Sequence, residues 1–122
     1  MDLKRTDPEF AEIFAHFAFE EVVTEKGWEL KPKTRFMAIL ATLIGCGAKE
    51  AYEEMLPKAL DAELTPVMVK EILYQATDYL GYGRMLSFLE ITNEILEARG
   101  IALPLPKQAT TTMDDRLEKG VE

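Results

Sequence analysis

Apolar residues recur at helical spacing along most of this chain, and no segment alternates with period two. Asp7-Pro8 opens the first run: aspartate can cap free N–H groups, and proline is tolerated at the first helical position. Phe10, Ile13, Phe14 and Phe17 follow on one stripe, which predicts a helix running to about Thr24 and ending at Gly27. His16 falls off that stripe, and a solvated or boundary histidine is its plain reading. After the connector "GWELKPK", a second helix begins near Pro32 with Phe36, Met37, Ile39, Leu40, Leu43 and Ile44. It is apolar on nearly every side, so it is expected to be the buried central helix.

"GCG" at 45–47 interrupts that helix, and a third starts near Ala48. Pro57 falls inside its pattern, where a missing N–H and a ring clash predict a kink or a split. Thr65-Pro66 is another cap-plus-proline start, followed by Val69, Ile72, Leu73, Ala76, Tyr79 and Leu80 on one face. "GYG" at 81–83 marks a break or a tight packing point. Met85, Phe88, Leu89, Thr92, Ile95, Leu96 and Arg99 trace a final long helix that Gly100 ends. In the tail, Leu103 to Pro106 is expected to be extended, because proline biases its neighbour away from helix. Thr111 or Thr112, with Asp114 or Asp115 three residues on, predicts a short helix closed by Gly120. The expectation is an all-α domain over residues 1–102. Residues 103–122 would then be a tail that is either loose or packed on another subunit as an arm.

Composition narrows the function classes. The chain has 122 residues, the size of one domain, and 48% of them are hydrophobic. Acids outnumber bases 22 to 14, and a net charge of −8 repels nucleic acid and anionic membrane surfaces. No basic stripe with interleaved aromatics is present, so neither a nucleic-acid nor a membrane partner is expected. The start "MDLKRTDPEF" lacks the apolar run of a signal peptide, and "FMAILATLIGCGA" is too short to span a bilayer. A soluble, cytoplasmic protein is expected. One cysteine and one histidine argue against a disulfide or a metal site, and no phosphate loop or nucleophile triad is seen. No cofactor is expected.

The candidate chemistry is sparse, and each candidate has a plain alternative. Cys46 is either a small buried hydrophobe or a thiol exposed by its flanking glycines that senses peroxide. Glu53 and Glu54 form a solvated acidic face unless one turns inward as a proton donor or acceptor. Tyr74, Tyr79 and Tyr82 lie at spacings that can line one side of a cavity for an aromatic or lactone ligand, or simply pack. Arg84, after the "GYG" break, can hold a carboxylate with its fork or form a salt bridge. Arg35 is similar in kind, but it is expected to fix its helix by ion pairing. Phe10, Phe14, Phe17 and the methionines are read as core or interface.

Three stretches carry a resemblance: "DPEFAEIFAHFAFEEV", "LKPKTRFMAILATL" and "KALDAELTPVMVKEILYQATDYLGYGRMLSFLEITNEIL". Together they resemble the carboxymuconolactone decarboxylase family, which shares its helical fold with the alkylhydroperoxidase D (AhpD-like) proteins. The resemblance runs from about Asp7 to Gly100 and implies an AhpD-like helical bundle that assembles as a homo-oligomer, a trimer or hexamer. "RLEKG" in the tail is similar to the Arg-x-x-x-Gly opening of many members, which implies the start of a second unit or an arm on a neighbour.

In the redox branch of that fold, a Cys-x-x-Cys pair, a following His and a Glu from the preceding helix do thiol chemistry. Laid on this sequence, the pair falls on Ala48 and Ala51, the His on Met55 and the Glu on Phe36. The decarboxylase branch keeps a His at the position of Met55. The resemblance therefore implies a pocket, lined by Phe36 and Met55, that is more apolar than usual. Three functions follow. The first is a divergent decarboxylase or lyase acting on a small carboxylated ring or lactone, with Arg84 on the carboxylate and Glu53, Glu54 or a tyrosine on the proton. The second is a non-catalytic scaffold or small-molecule binder. The third is an AhpD-like, peroxiredoxin-type peroxidase using Cys46 alone.

Overall fold

The computed structural model describes residues 2–21 and 30–110, and every regular element among them is a helix. In order these are α1 (Leu3–Thr6), α2 (Pro8–His16) with a π-helical turn beyond it (Phe17–Glu21), α3 (Pro32–Gly45), α4 (Lys49–Asp61), α5 (Pro66–Leu80) and α6 (Tyr82–Ala98). The all-α expectation holds. Thr24 and Gly27, the expected end of the first helix, lie outside the described residues, as does the short helix expected after Thr111.

The helix ends follow from local chemistry. Thr65 Oγ1 accepts the Met68 N–H at 3.2 Å, and Pro66 fills the first turn of α5. Asp7 stands before α2 but caps no N–H, and accepts from Thr6 Oγ1 at 2.7 Å instead. "GCG" is a Schellman cap on α3: Gly47 N–H reaches Ile44 O, Ala48 N–H reaches Leu43 O, and Gly47 takes the left-handed φ of 74° that this cap needs. The same pair of bonds closes α4, but there Glu63 holds the left-handed position at φ 70°, where glycine would be less strained.

Helices α3 to α6 form the packed unit. α5 lies on α6, α3 on both α4 and α5, and α4 on α6. Its core is Leu40 and Ile44, Tyr52, Leu56 and Ala59, Leu64, Val69 and Leu73, then Met85, Phe88 and Leu96. Tyr52 and Phe88 meet edge to face, with ring centroids 5.3 Å apart. The Tyr52 hydroxyl sits 2.6 Å from Thr92 Oγ1, which itself donates to the Phe88 carbonyl at 2.7 Å. Thr92, the one buried polar residue of this core, is therefore satisfied, and no described buried side-chain nitrogen or oxygen lacks a partner.

Two expectations need correction. Pro57 does not split its helix, since α4 runs through it from Lys49 to Asp61. Losing the backbone bond costs about 3 kcal/mol, and burying Tyr52, Leu56 and Ala59 on one side of α4 outweighs it. Nor is α3 buried all round. Leu40 and Ile44 are covered, while Ala38, Ala41 and Gly45 open onto a groove of about 740 Å³ between α3 and α5. Among the described residues no element covers this side of α3.

The segment after α6 has no helix through residue 110, as expected for its prolines. Leu103 and Leu105 are half-buried and border a cavity with Lys70 and Tyr74 of α5 and Asn93 of α6. The other end of the chain is different. No residue of α1, α2 or the π-helical turn is buried.

Candidate functional site

The pocket best suited to chemistry lies where this N-terminal arm meets α3 and α4. It encloses about 500 Å³. Arg35, Ile39 and Leu43 line it from α3 at i, i+4 and i+8, one stripe of a helix. Ala51, Glu54 and Met55 line it from α4 at i, i+3 and i+4. Phe14, Phe17 and Phe19 come from the arm, with Leu30 at the entry to α3. The walls are apolar except for one guanidinium and one carboxylate.

The guanidinium is anchored. Arg35 Nη2 donates to the Leu30 carbonyl at 2.8 Å, which leaves the other N–H groups of its fork for a ligand. Arg35 makes no ion pair among the described residues, contrary to expectation. Glu54 is exposed. One turn further on, the Lys58 ammonium lies 5.1 Å from the centre of the Phe19 ring and ties the arm to α4.

The other residues singled out from sequence are spread over the molecule. Met55 is half-buried in this pocket beside Glu54. Phe36 does not line it. One residue past Arg35, it is turned about 100° around α3 and packs against the core. Glu53 is exposed and outside the pocket. Arg84 borders a separate pocket of about 430 Å³ with Cys46, Lys49 and Ser87. Arg84 also makes no ion pair among the described residues. It therefore shares a pocket with neither glutamate. Cys46 is exposed, and its Sγ lies 3.7 Å from the Leu43 carbonyl.

The three tyrosines do not share a cavity. Tyr79 is 94% exposed at the α3–α5 groove, Tyr74 borders the cavity next to the C-terminal segment, and Tyr82 is 66% exposed. Tyr74 and Tyr79 are five residues apart, about 140° around the helix, so they cannot line one wall. His16 is exposed. Its Nδ1 meets Glu20 at 2.6 Å and its Nε2 meets Glu21 at 3.2 Å. The Glu20 hydrogen bond, with smaller help from the charges of Glu20 and Glu21, holds its pKa above the ordinary 6.5.

Among the described residues no group of three His, Cys, Asp or Glu side chains could hold a metal ion, and no helix is long and apolar enough to cross a membrane. The pocket can hold a small, largely apolar molecule, grip an oxyanion with Arg35 and exchange a proton with Glu54. From sequence Arg35 is similar in kind to Arg84 but is expected in an ion pair, and the structure instead puts it in the lining of this pocket. The available signal was the Arg35–Ile39–Leu43 stripe, which puts the guanidinium on a face with apolar neighbours.

Against known families, residues 8–94 match the model described as the Carboxymuconolactone decarboxylase family. No curated protein and no solved structure gives a significant match.

Proposed function

The chain belongs to the carboxymuconolactone decarboxylase family, and from that premise we propose that it decarboxylates a small carboxylated ring or lactone compound. The reaction is placed in the pocket between the arm, α3 and α4. One observation carries the reading. Ala51 and Met55, on which the family pattern lays its second cysteine and its histidine, both line this pocket, and Arg35 and Glu54 stand beside them. The location is kept while the residues that do the work differ.

In the proposed reaction the bond from the carboxylate carbon to the ring breaks and carbon dioxide leaves. The electron pair stays on the substrate skeleton, spreading toward the lactone carbonyl. Arg35 holds the oxygen on which that charge collects, or a second carboxylate, through its free N–H groups. Glu54 hands a proton to the carbon that keeps the pair and regains one from the solvent to which it is open. Phe14, Phe17 and Met55 offer the substrate's ring apolar surface to lie against.

The test is turnover of carboxymuconolactone, followed as carbon dioxide release, with calorimetric binding measured in parallel. Wild type should release carbon dioxide above background, and Glu54→Gln should lower the rate by about 10²-fold, the usual size of a general-acid contribution. Arg35→Ala should lose binding as well as turnover. Saturable binding without release would replace the enzyme by a binder, and neither binding nor release would remove this substrate.

A second reading has its own observation. Cys46 is exposed in a pocket with Arg84 and Lys49. There the thiol could reduce a peroxide, with its sulfur oxidised to the sulfenic acid and the peroxide reduced to an alcohol or water. Trapping of sulfenic acid on wild type but not on Cys46→Ser decides it.

Homo-oligomerisation, as a trimer or hexamer, is also part of the proposal. Phe10 and Ile13 are 60% and 62% exposed on the arm, and the α3–α5 groove is apolar and open. Burying such faces against copies of the chain is a strong driving force for assembly.

A further inference from the structure

We propose that the cavity between α5, α6 and the C-terminal segment is a second binding site, which takes a free apolar α-amino acid through Lys70, Asn93 and Glu97. It shares no residue with the decarboxylase pocket and does not depend on that reading. The cavity measures about 830 Å³. Lys70 lines it from α5, with Val67 and Tyr74 on the same helix face at i−3 and i+4. Asn93 and Glu97 line it from α6, one turn apart, and Leu103, Pro104 and Leu105 form the apolar wall.

The polar groups are arranged but not saturated. Lys70 Nζ donates to Asn93 Oδ1 across the two helices at 2.5 Å. That bond turns the Asn93 amide so that its NH₂ remains available, and it leaves two of the three Lys70 protons free. Lys70 is half-buried, yet it forms no ion pair among the described residues, although Glu71 and Glu97 border the same cavity. Burial lowers its pKa, as expected of a charge that lacks a counter-charge in a partly dry place. A carboxylate entering here gains the ammonium and the amide together.

The lining also says which carboxylate. It carries one cation against two carboxylates, on a chain of net charge −8, so a plain monoanion is repelled at range. A zwitterion is not. Glu97 lies about 6 Å along α6 from Asn93, four residues at about 1.5 Å each, close enough for an ammonium carried one carbon away from the bound carboxylate. The ligand's side chain then meets Leu103 and Leu105. Glu71 is a weaker choice for the ammonium, because its Oε1 already accepts from Gln75 at 2.8 Å.

The experiment is calorimetric titration of the full chain with L-leucine, 4-methylpentanoate (leucine without its amine) and 3-methylbutylamine (leucine without its carboxylate). L-leucine should bind saturably. Each truncated compound should bind at least about tenfold more weakly, the scale of one lost charged hydrogen bond. Lys70→Met and Glu97→Gln should each weaken leucine by a similar factor, with an unchanged helical circular-dichroism spectrum. Arg35→Ala should leave leucine binding unaltered. No leucine binding to wild type overturns the site. Equal binding of 4-methylpentanoate and leucine overturns the role of Glu97, and equal leucine binding by Lys70→Met and wild type overturns that of Lys70.

Discussion

Phe10 and Phe88 are the same side chain on amphipathic helices, and they end in opposite surroundings. Phe88 is 1% exposed and packed edge to face on Tyr52, whereas Phe10 is 60% exposed with its ring stacked on Phe14, 6.0 Å away. The difference separates two regions. Helices α3 to α6 cover one another and satisfy the one polar residue they bury. The arm of α1, α2 and the π-helical turn buries none of its residues and joins the packed unit along the pocket of Arg35, Glu54 and Met55. An apolar stripe specifies a face that needs cover, and the described residues supply full cover for only one of the two regions. The candidate active site lies on the seam between them, so its front wall is its least supported part.

The largest effect that can break this comparison is a pair of truncations. Phe88→Ala should destabilise the fold by about 3–5 kcal/mol, read from urea unfolding. Phe10→Ala with Ile13→Ala should change the unfolding of a single chain by about 0.5 kcal/mol or less while shifting light-scattering mass toward the monomer. If the arm variant unfolds the protein as Phe88→Ala does, the arm belongs to the core after all.

A smaller effect sharpens the description of the packed region. Burial pushes the Tyr52 hydroxyl up to about 12 from 10.0, against the opposite pull of its Thr92 hydrogen bond. Its neutral form is thus favoured in the folded state. The associated stability is complete below pH 10 and is lost as pH rises through 12. A tenfold change in an ionisation equilibrium is worth about 1.4 kcal/mol, so this group should account for roughly 2–3 kcal/mol of alkaline destabilisation. Tyr52→Phe should cost about 1 kcal/mol at neutral pH and flatten the alkaline limb.

The smallest effect belongs to the arm. The raised pKa of His16 comes first from its Glu20 hydrogen bond. Its contribution is fully present below pH 6.5 and fades as pH rises through the folded-state value. A proton NMR titration should give a midpoint above 6.5 that moves down in Glu20→Gln. An unmoved midpoint would mean that the pairing does not hold in solution.

Much of the fold is legible because it is written locally. The Thr65-Pro66 start, the Gly47 and Gly100 ends, and the stripe of Phe88, Thr92 and Leu96 all depend on neighbours within a turn or two. Pro57 misleads for the opposite reason. Its local cost is real, but the decision belongs to the core that Tyr52 and Leu56 reach from the same helix. The candidate site is legible in part. Glu54 and Met55 stand out in the sequence and share a pocket, whereas the sequence favours Arg84 for the carboxylate and Arg35 for an ion pair. Which arginine meets which glutamate depends on how α3, α4 and α6 cross, and spacing within one helix carries no information on that.

The sequence by itself determined an all-α chain, the places where most of its helices start and stop, and its membership of the family matched over residues 8–94. These follow from hydrogen bonding and side-chain period over a few residues. Only the tertiary structure decided which stripes are covered, that Cys46 sits with Arg84 and Glu54 with Arg35, and that Lys70 faces a cavity without a carboxylate partner among the described residues. Each of those depends on which surfaces of distant helices are pressed together, and that is set by the burial of the whole core rather than by any local pattern.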